Sequence, residues 1–206
     1  MDLYFSPLAC SLASRISIYE AGGEDRITLR PVNTKTRRTA DGADYAAINP
    51  MGQVPALRTD DGRILTENAA ILPYLADQLA GPALAPVEGF ERYELARWLG
   101  FVGTELHKQV FTPLLSQSSN DGAKAFALAA AAPRLAALDA HLTDREFLLD
   151  DFSVADAYLT AVLNWAQFVR LDLTPYPAVA AYYGRMASRP AVARAMQEEL
   201  ALFQAA

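Results

Sequence analysis

Cysteine is almost missing from this sequence: Cys10 is the only one in 206 residues. One thiol excludes an intrachain disulfide framework, and without a CxxC pair or a Cys/His cluster no metal site is expected. Positive charge is in deficit as well, with 18 Lys and Arg against 24 Asp and Glu and a formal net charge of −6. That balance argues against nucleic acid or an anionic membrane as the main partner. Long apolar runs are also lacking. The longest aliphatic stretch, Ala125 to Ala132, is too short to cross a bilayer and meets Pro133. The start MDLYFSPLAC has no basic segment ahead of a long apolar one, so no secretory leader is expected. These absences point to a reducing, cytoplasmic setting in which a free thiol persists.

The chain has ample material for a core, since 52% of its residues are hydrophobic, and its length fits one large domain or two small ones. The first eighty residues alternate strand and helix signals. DLYF is a short strand halted by Ser6-Pro7, and Leu12, Ile16 and Tyr19 then recur at helical spacing until Gly22-Gly23. RITLRPV reads as a second strand, with its proline at an edge or a strand end. ADYAAI, inside a polar, turn-rich stretch, offers one helical turn. VPALRTDDGRIL is a hairpin around Asp61-Gly62, and TENAAILPYLADQLAG is an amphipathic helix closed by Gly81. The order is β-α-β-α-β-β-α. After the Pro/Gly-rich GPALAPVEG everything reads as helix: Phe90 to about Leu115, Ala123 to His141, Val154 to Val169, Ala178 to Met186 and Val192 to Phe203. The expected units are therefore residues 1–81, a linker 82–89 and a helical unit 90–206. There is no internal repeat.

Four stretches of the first unit carry candidate chemistry. Cys10 follows a strand and a turn, at or near a helix N-terminus, where free N–H groups and the helix dipole favour a thiolate. A buried, inert cysteine is the commoner fate of this residue type. In GQVPAL, Pro55 heads a strand, and a cis Val54-Pro55 bond would turn the Val54 N–H and C=O outward toward an extended, peptide-like ligand; a trans proline is the ordinary alternative. In LTENAAI, Glu67 and Asn68 open a helix. They serve either as dipole partner and cap, or as holders of a ligand's ammonium and carboxylate groups. Lys35 offers a charge to a second carboxylate, though a solvated basic loop is the commoner meaning. FSVADAYL concerns folding: Ser153 as N-cap and Asp156 at N3 form a capping box. His141 reads as a surface helix residue.

These stretches, in this order and setting, resemble the glutathione transferases, in particular their bacterial beta class. The matching pieces are LYFSPLACSLASRI, TADGADYAAINPMGQVPAL, DDGRILTENAAILPYLAD, ELHKQVFTPL and FSVADAYL, which together span nearly the whole chain. The resemblance implies a thioredoxin-like N-terminal domain, an all-helical C-terminal domain and a homodimer. It implies glutathione as co-substrate, no metal, and a small hydrophobic electrophile as second substrate. Cys10 would face the glutathione sulfur, with His107 projecting toward it from the long helix, as an ion pair or a hydrogen-bond partner. Val54 would pair with the peptide backbone across cis-Pro55, Lys35 would meet the glycyl carboxylate, and Glu67 with Asn68 the γ-glutamyl end. Ser11, Gln53, Thr104 and Lys108 complete the implied glutathione contacts. KQVFTPLLSQSS and the C-terminal tail would line the electrophile's pocket.

Two positions depart from that pattern. Seven residues before His107, where the class often carries an asparagine that reaches glutathione, stands Gly100. Asp150-Asp151 replaces the glycine usual before the capping box. Because the site residue is a thiol, glutathione-dependent disulfide exchange or peroxide reduction is a variant of the conjugation reading. A non-catalytic binding module on the same fold is the alternative from another class.

Overall fold

The computed structural model describes residues 1–80 and 83–205. The expected helix end at Gly81 and linker start at Pro82 lie outside the described residues. β1 (Asp2–Phe5) is the central strand of a five-stranded sheet whose order is β3-β2-β1-β4-β5. It runs parallel to β2 (Thr28–Asn33) and antiparallel to β4 (Ala56–Arg58), with Leu3 opposite both Leu29 and Leu57. β5 (Ile64–Thr66) closes the expected hairpin. Alternation explains the two-sided burial of β1. Leu3 and Phe5 pack with Ile18, Ile71 and Leu75 under the helices, whereas Tyr4 packs with Val32, Tyr45 and Ala56 on the other face.

The thioredoxin-like arrangement is present, with one change of detail. The polar stretch after β2 holds an additional two-residue strand β3 (Arg38–Thr39) and, where one helical turn was expected, a single 3-10 turn, Tyr45–Ala47. The Asp44 side chain caps that turn by accepting from Ala46 N–H, and Asn49-Pro50 follows too soon for a helix to propagate. Two helices, α1 (Leu12–Glu20) and α2 (Asn68–Leu79), cover the sheet.

The second half is helical. α3 (Phe90–Gly100) runs without a break into a π-helical segment, Phe101–Phe111, and on into α4 (Thr112–Leu115), giving the long rod expected from Phe90. α5 (Asp121–Leu142) continues through Pro133. The helix expected from Val154 to Val169 is instead two, α6 (Val154–Leu163) and α7 (Ala166–Val169). The break has a tertiary cause: Asn164 Oδ1 accepts from Tyr183 Oη and Gln167 Nε2, and the Trp165 indole turns away to donate to Leu8 C=O at 2.8 Å. α8 (Pro177–Ser188) and α9 (Pro190–Gln204) each start on a proline, whose missing N–H is harmless there. No described helix is long and apolar enough to cross a membrane.

One core joins the halves. Leu12, Ala13, Ile16, Leu72 and Ala76 bury into the same cluster as Leu95, Val102, Leu106, Leu159 and Trp165. Charges reinforce the seam around α1 and α9: Arg189, just before α9, pairs with Glu20 at 2.7 Å, Arg194 with Glu24 in the turn after α1 at 2.6 Å, and Arg15 with Glu198. The capping box is present, with Asp156 accepting from Ser153 N–H and Ser153 Oγ accepting from Ala155 N–H. Neither Asp150 nor Asp151 has positive φ, so the position needs no glycine.

Candidate active site

Two adjoining cavities open where the loop after β1 faces the π-helical segment. The smaller, about 240 Å³, is lined by Cys10, Gln53, Val54, Glu67, Asn68 and Gly100, with Thr104, His107, Lys108 and Tyr158 on the helical side. The larger, about 780 Å³, is walled by Leu8, Lys35, Leu115, Trp165, Phe168 and Phe203. Cys10, Gln53, Val54 and His107 belong to both walls.

Cys10 sits in the turn just before α1, and its Sγ donates to Val54 C=O at 3.1 Å. The Val54-Pro55 bond is cis, and Val54 N–H has no partner among the described residues. The loop before Pro55 is fastened by Tyr45 Oη and Asn49 Nδ2, which both donate to Gln53 C=O. Glu67 takes the position before α2 at φ 68 with no capping hydrogen bond, and its carboxylate is exposed. Lys35 and Lys108 are exposed and make no ion pair among the described residues.

Several expectations are corrected. The Cys10 thiol was expected to titrate low, but burial pushes it up to about 12, against the opposing pull of Lys108 and of the Cys10 and Ser11 backbone N–H groups. Removal of water around the sulfur outweighs the helix terminus. His107 does not pair with Cys10 as an ion. Burial, with a smaller effect from Lys108, lowers it to about 4, and its Nδ1 lies 2.8 Å from Tyr158 Oη. Ser11 is fully buried and closes its own loop, donating from Oγ to Ser6 C=O and accepting from Ser6 N–H. It faces neither cavity. Asn68 does not cap α2; its Nδ2 donates to Cys10 C=O at 3.1 Å, fixing the thiol's backbone. His141 is half-buried, 4.4 Å from the Trp98 ring centroid, with Nε2 bonded to Leu148 C=O.

Comparison with known proteins decides the family. Residues 9–78 match the glutathione S-transferase N-terminal domain and residues 105–190 the glutathione S-transferase C-terminal domain. The chain is 42% identical to glutathione S-transferase GstA of Escherichia coli O157:H7 over 97% of its own length and 98% of the relative's. The chain belongs to the glutathione S-transferase family. Among solved structures, the ternary complex of BphK, a bacterial GST, superposes at TM-score 0.92 with 44% identity, covering 97% of this chain and 99% of that one. The beta class glutathione S-transferase of Sphingomonas chungbukensis gives 0.90 with 45% identity, covering 97% and 98%. This glutathione transferase is thus beta-class-like in sequence and shape.

Its site also holds residues that sequence reasoning did not single out. Tyr158 was read only as part of the capping stretch, and Trp165 only as part of a helix. Both reach the site through contacts between distant segments, for which no local signal exists. The side chain of Trp165 packs 4.9 Å from the His107 ring centroid.

Proposed function

We propose that this glutathione transferase joins glutathione to a small hydrophobic electrophile across the two adjoining cavities. The observation that carries this reading is their shared wall of Cys10, Gln53, Val54 and His107, with Leu8, Leu115, Trp165, Phe168 and Phe203 forming an apolar side of the larger cavity alongside the polar Thr34, Lys35, Thr112 and Ser116. Glutathione lies extended from the smaller one across Val54 to the Lys35 edge of the larger, its cysteinyl peptide against the Val54 N–H and C=O. Glu67 takes the γ-glutamyl ammonium, and Lys35 the glycyl carboxylate. Thr104 and Lys108 border the same ligand from the helical side.

The ligand's thiol is the nucleophile. Hydrogen bonds donated to a thiolate favour the charged form. The neutral His107 ring and the Lys108 charge act in that direction, joined by the Cys10 S–H once the ligand's peptide N–H takes over the Val54 C=O to which that thiol donates, raising the fraction of reactive sulfur at neutral pH. The raised pKa of Cys10 makes conjugation the better-supported activity over disulfide exchange, which needs a Cys10 thiolate. A two-fold dimer is part of this reading. Exposed Met51, Phe90 and Tyr93 supply apolar surface that a second copy covers. A lone thiol without a disulfide partner suits a reducing cytoplasm.

Thermal unfolding with and without glutathione, together with turnover of an aryl halide, tests the reading. Glutathione raises the melting temperature by mass action, Glu67→Ala removes most of the rise, and wild type consumes the halide only with glutathione. No rise and no turnover refute it.

A further inference from the structure

Tyr158 has no place in the chemistry described so far, yet it lines the smaller cavity beside Cys10, Asn68 and His107. It stands on α6 at 4% exposure. Its hydroxyl lies 2.8 Å from His107 Nδ1, and the two rings meet at 89° with centroids 6.1 Å apart. A buried phenol is a donor that requires an acceptor. The hydroxyl has His107 Nδ1 as its 2.8 Å partner, and the Asn68 amide also bonds it. Asn68 meets the phenol oxygen as a donor, its Nδ2 also donating to Cys10 C=O, which leaves the O–H for Nδ1. On the other side the wall is Gly103, where a Cβ would come 3.6 Å from the hydroxyl.

We propose that Tyr158 is a positioning residue that fixes the tautomer of His107: its O–H donates to Nδ1, so the imidazole proton resides on Nε2 and is offered to the sulfur held in the cavity. Neutral imidazole carries one N–H, so the hydrogen bond at one nitrogen determines the role of the other. Nε2 has no protein partner among the described residues, and His107 lines both cavities. His107 therefore acts as a neutral donor to a thiolate and not as a base that removes the thiol proton. The charge that acts on the ring agrees. Lys108 on the same helical segment disfavours a second proton on the ring, Cys10 and Glu67 face it from the loop and from the start of α2, and Trp165 presents only its ring. Burial holds the Tyr158 phenol protonated well above its ordinary range.

This inference rests on the reading that the cavity holds the glutathione sulfur, and its test begins on ligand-free protein. Nitrogen-15 NMR distinguishes the two imidazole tautomers. The chain has only two histidines, so a His141→Gln variant assigns the signals. We expect His107 as the Nε2–H tautomer in wild type and a mixture of tautomers in Tyr158→Phe. In conjugation kinetics Tyr158→Phe lowers kcat by about tenfold, the equivalent of one neutral hydrogen bond, with the glutathione KM nearly unchanged. In a His107→Ala background the same substitution has no further effect. An Nδ1–H tautomer in wild type, an unaltered tautomer in Tyr158→Phe, or additive losses in the double variant overturns the proposal. Failure of glutathione to stabilise wild type refutes the substrate reading instead, and is a separate result.

Discussion

Glu199 Oε2 accepts the Leu8 N–H at 2.7 Å, joining the last helix to the loop that carries Cys10 across 191 positions of sequence. Leu8 itself sits at φ 58, and its C=O is taken by Trp165 Nε1. Both polar groups of this left-handed residue, two positions before the thiol, are thus held by the helical domain.

Stability should depend on pH through Glu199. Burial pushes its carboxyl up to about 7, with Leu8 N–H and Arg15 pulling the other way. The folded value lies above the unfolded one, so its contribution is intact below about pH 4 and is lost as pH rises through about 7. Glu199→Gln keeps an acceptor for Leu8 N–H but does not titrate. Denaturant unfolding should find the variant equal to wild type near pH 4 and more stable near pH 8, by up to about 3 kcal/mol. A pH-independent difference between the two would contradict this.

Cys10 should behave as a shielded thiol in the empty site. With one cysteine per chain, iodoacetamide labelling followed by mass spectrometry counts a single event. Labelling should be slow near pH 7 and accelerate into the alkaline range, well beyond the ordinary thiol value of about 8.5. A rate that levels off below that value would show that the helix terminus and Lys108 outweigh burial after all.

Gly100 should tolerate enlargement. A Cβ there meets nothing within 4 Å, and the residue lines the smaller cavity in helical conformation at φ −60. Gly100→Asn adds an amide to that wall without a backbone penalty. Its glutathione KM should fall several-fold, by about the worth of one added hydrogen bond, while the melting temperature holds or rises. A higher KM would mean that the space at Gly100 is needed by the ligand.

Asp156 should matter far more to folding than a simple cap. Its carboxylate accepts from Leu148 N–H, Ser153 N–H, Ser153 Oγ and Tyr182 Oη, at full burial. Ser153→Ala should lower stability by about 1 kcal/mol. Asp156→Ala leaves buried donors unpaired and should lower it by about 3 kcal/mol or more. Equal losses in chemical denaturation would show that only the cap counts.

Local pattern carried much of this protein. The 3.6-residue spacing of Leu12, Ile16 and Tyr19, the Asp61-Gly62 hairpin and the Ser153–Asp156 box act over a few residues, and each appears where the sequence puts it. The cavity residues Cys10, Val54, Glu67 and His107 were legible because they fall within stretches resembling a known family. Tyr158 and Glu199 were not, since nothing within a few residues of either marks it as polar machinery.

Sequence alone determined most of the elements, the single thiol and the family. Only the tertiary structure decided how the site is charged. A helix N-terminus lowers a thiol's pKa when water still reaches the sulfur, and burial raises it. Which effect prevails depends on side chains packed from distant segments, and here Cys10 is half-buried against Val54 C=O between the two cavities. The same packing turned Ser11 into its own loop, gave Asn68 to the Cys10 backbone and left His107 neutral against Tyr158. Protonation state follows from desolvation, and desolvation is a property of the assembled fold, which no local window of residues contains.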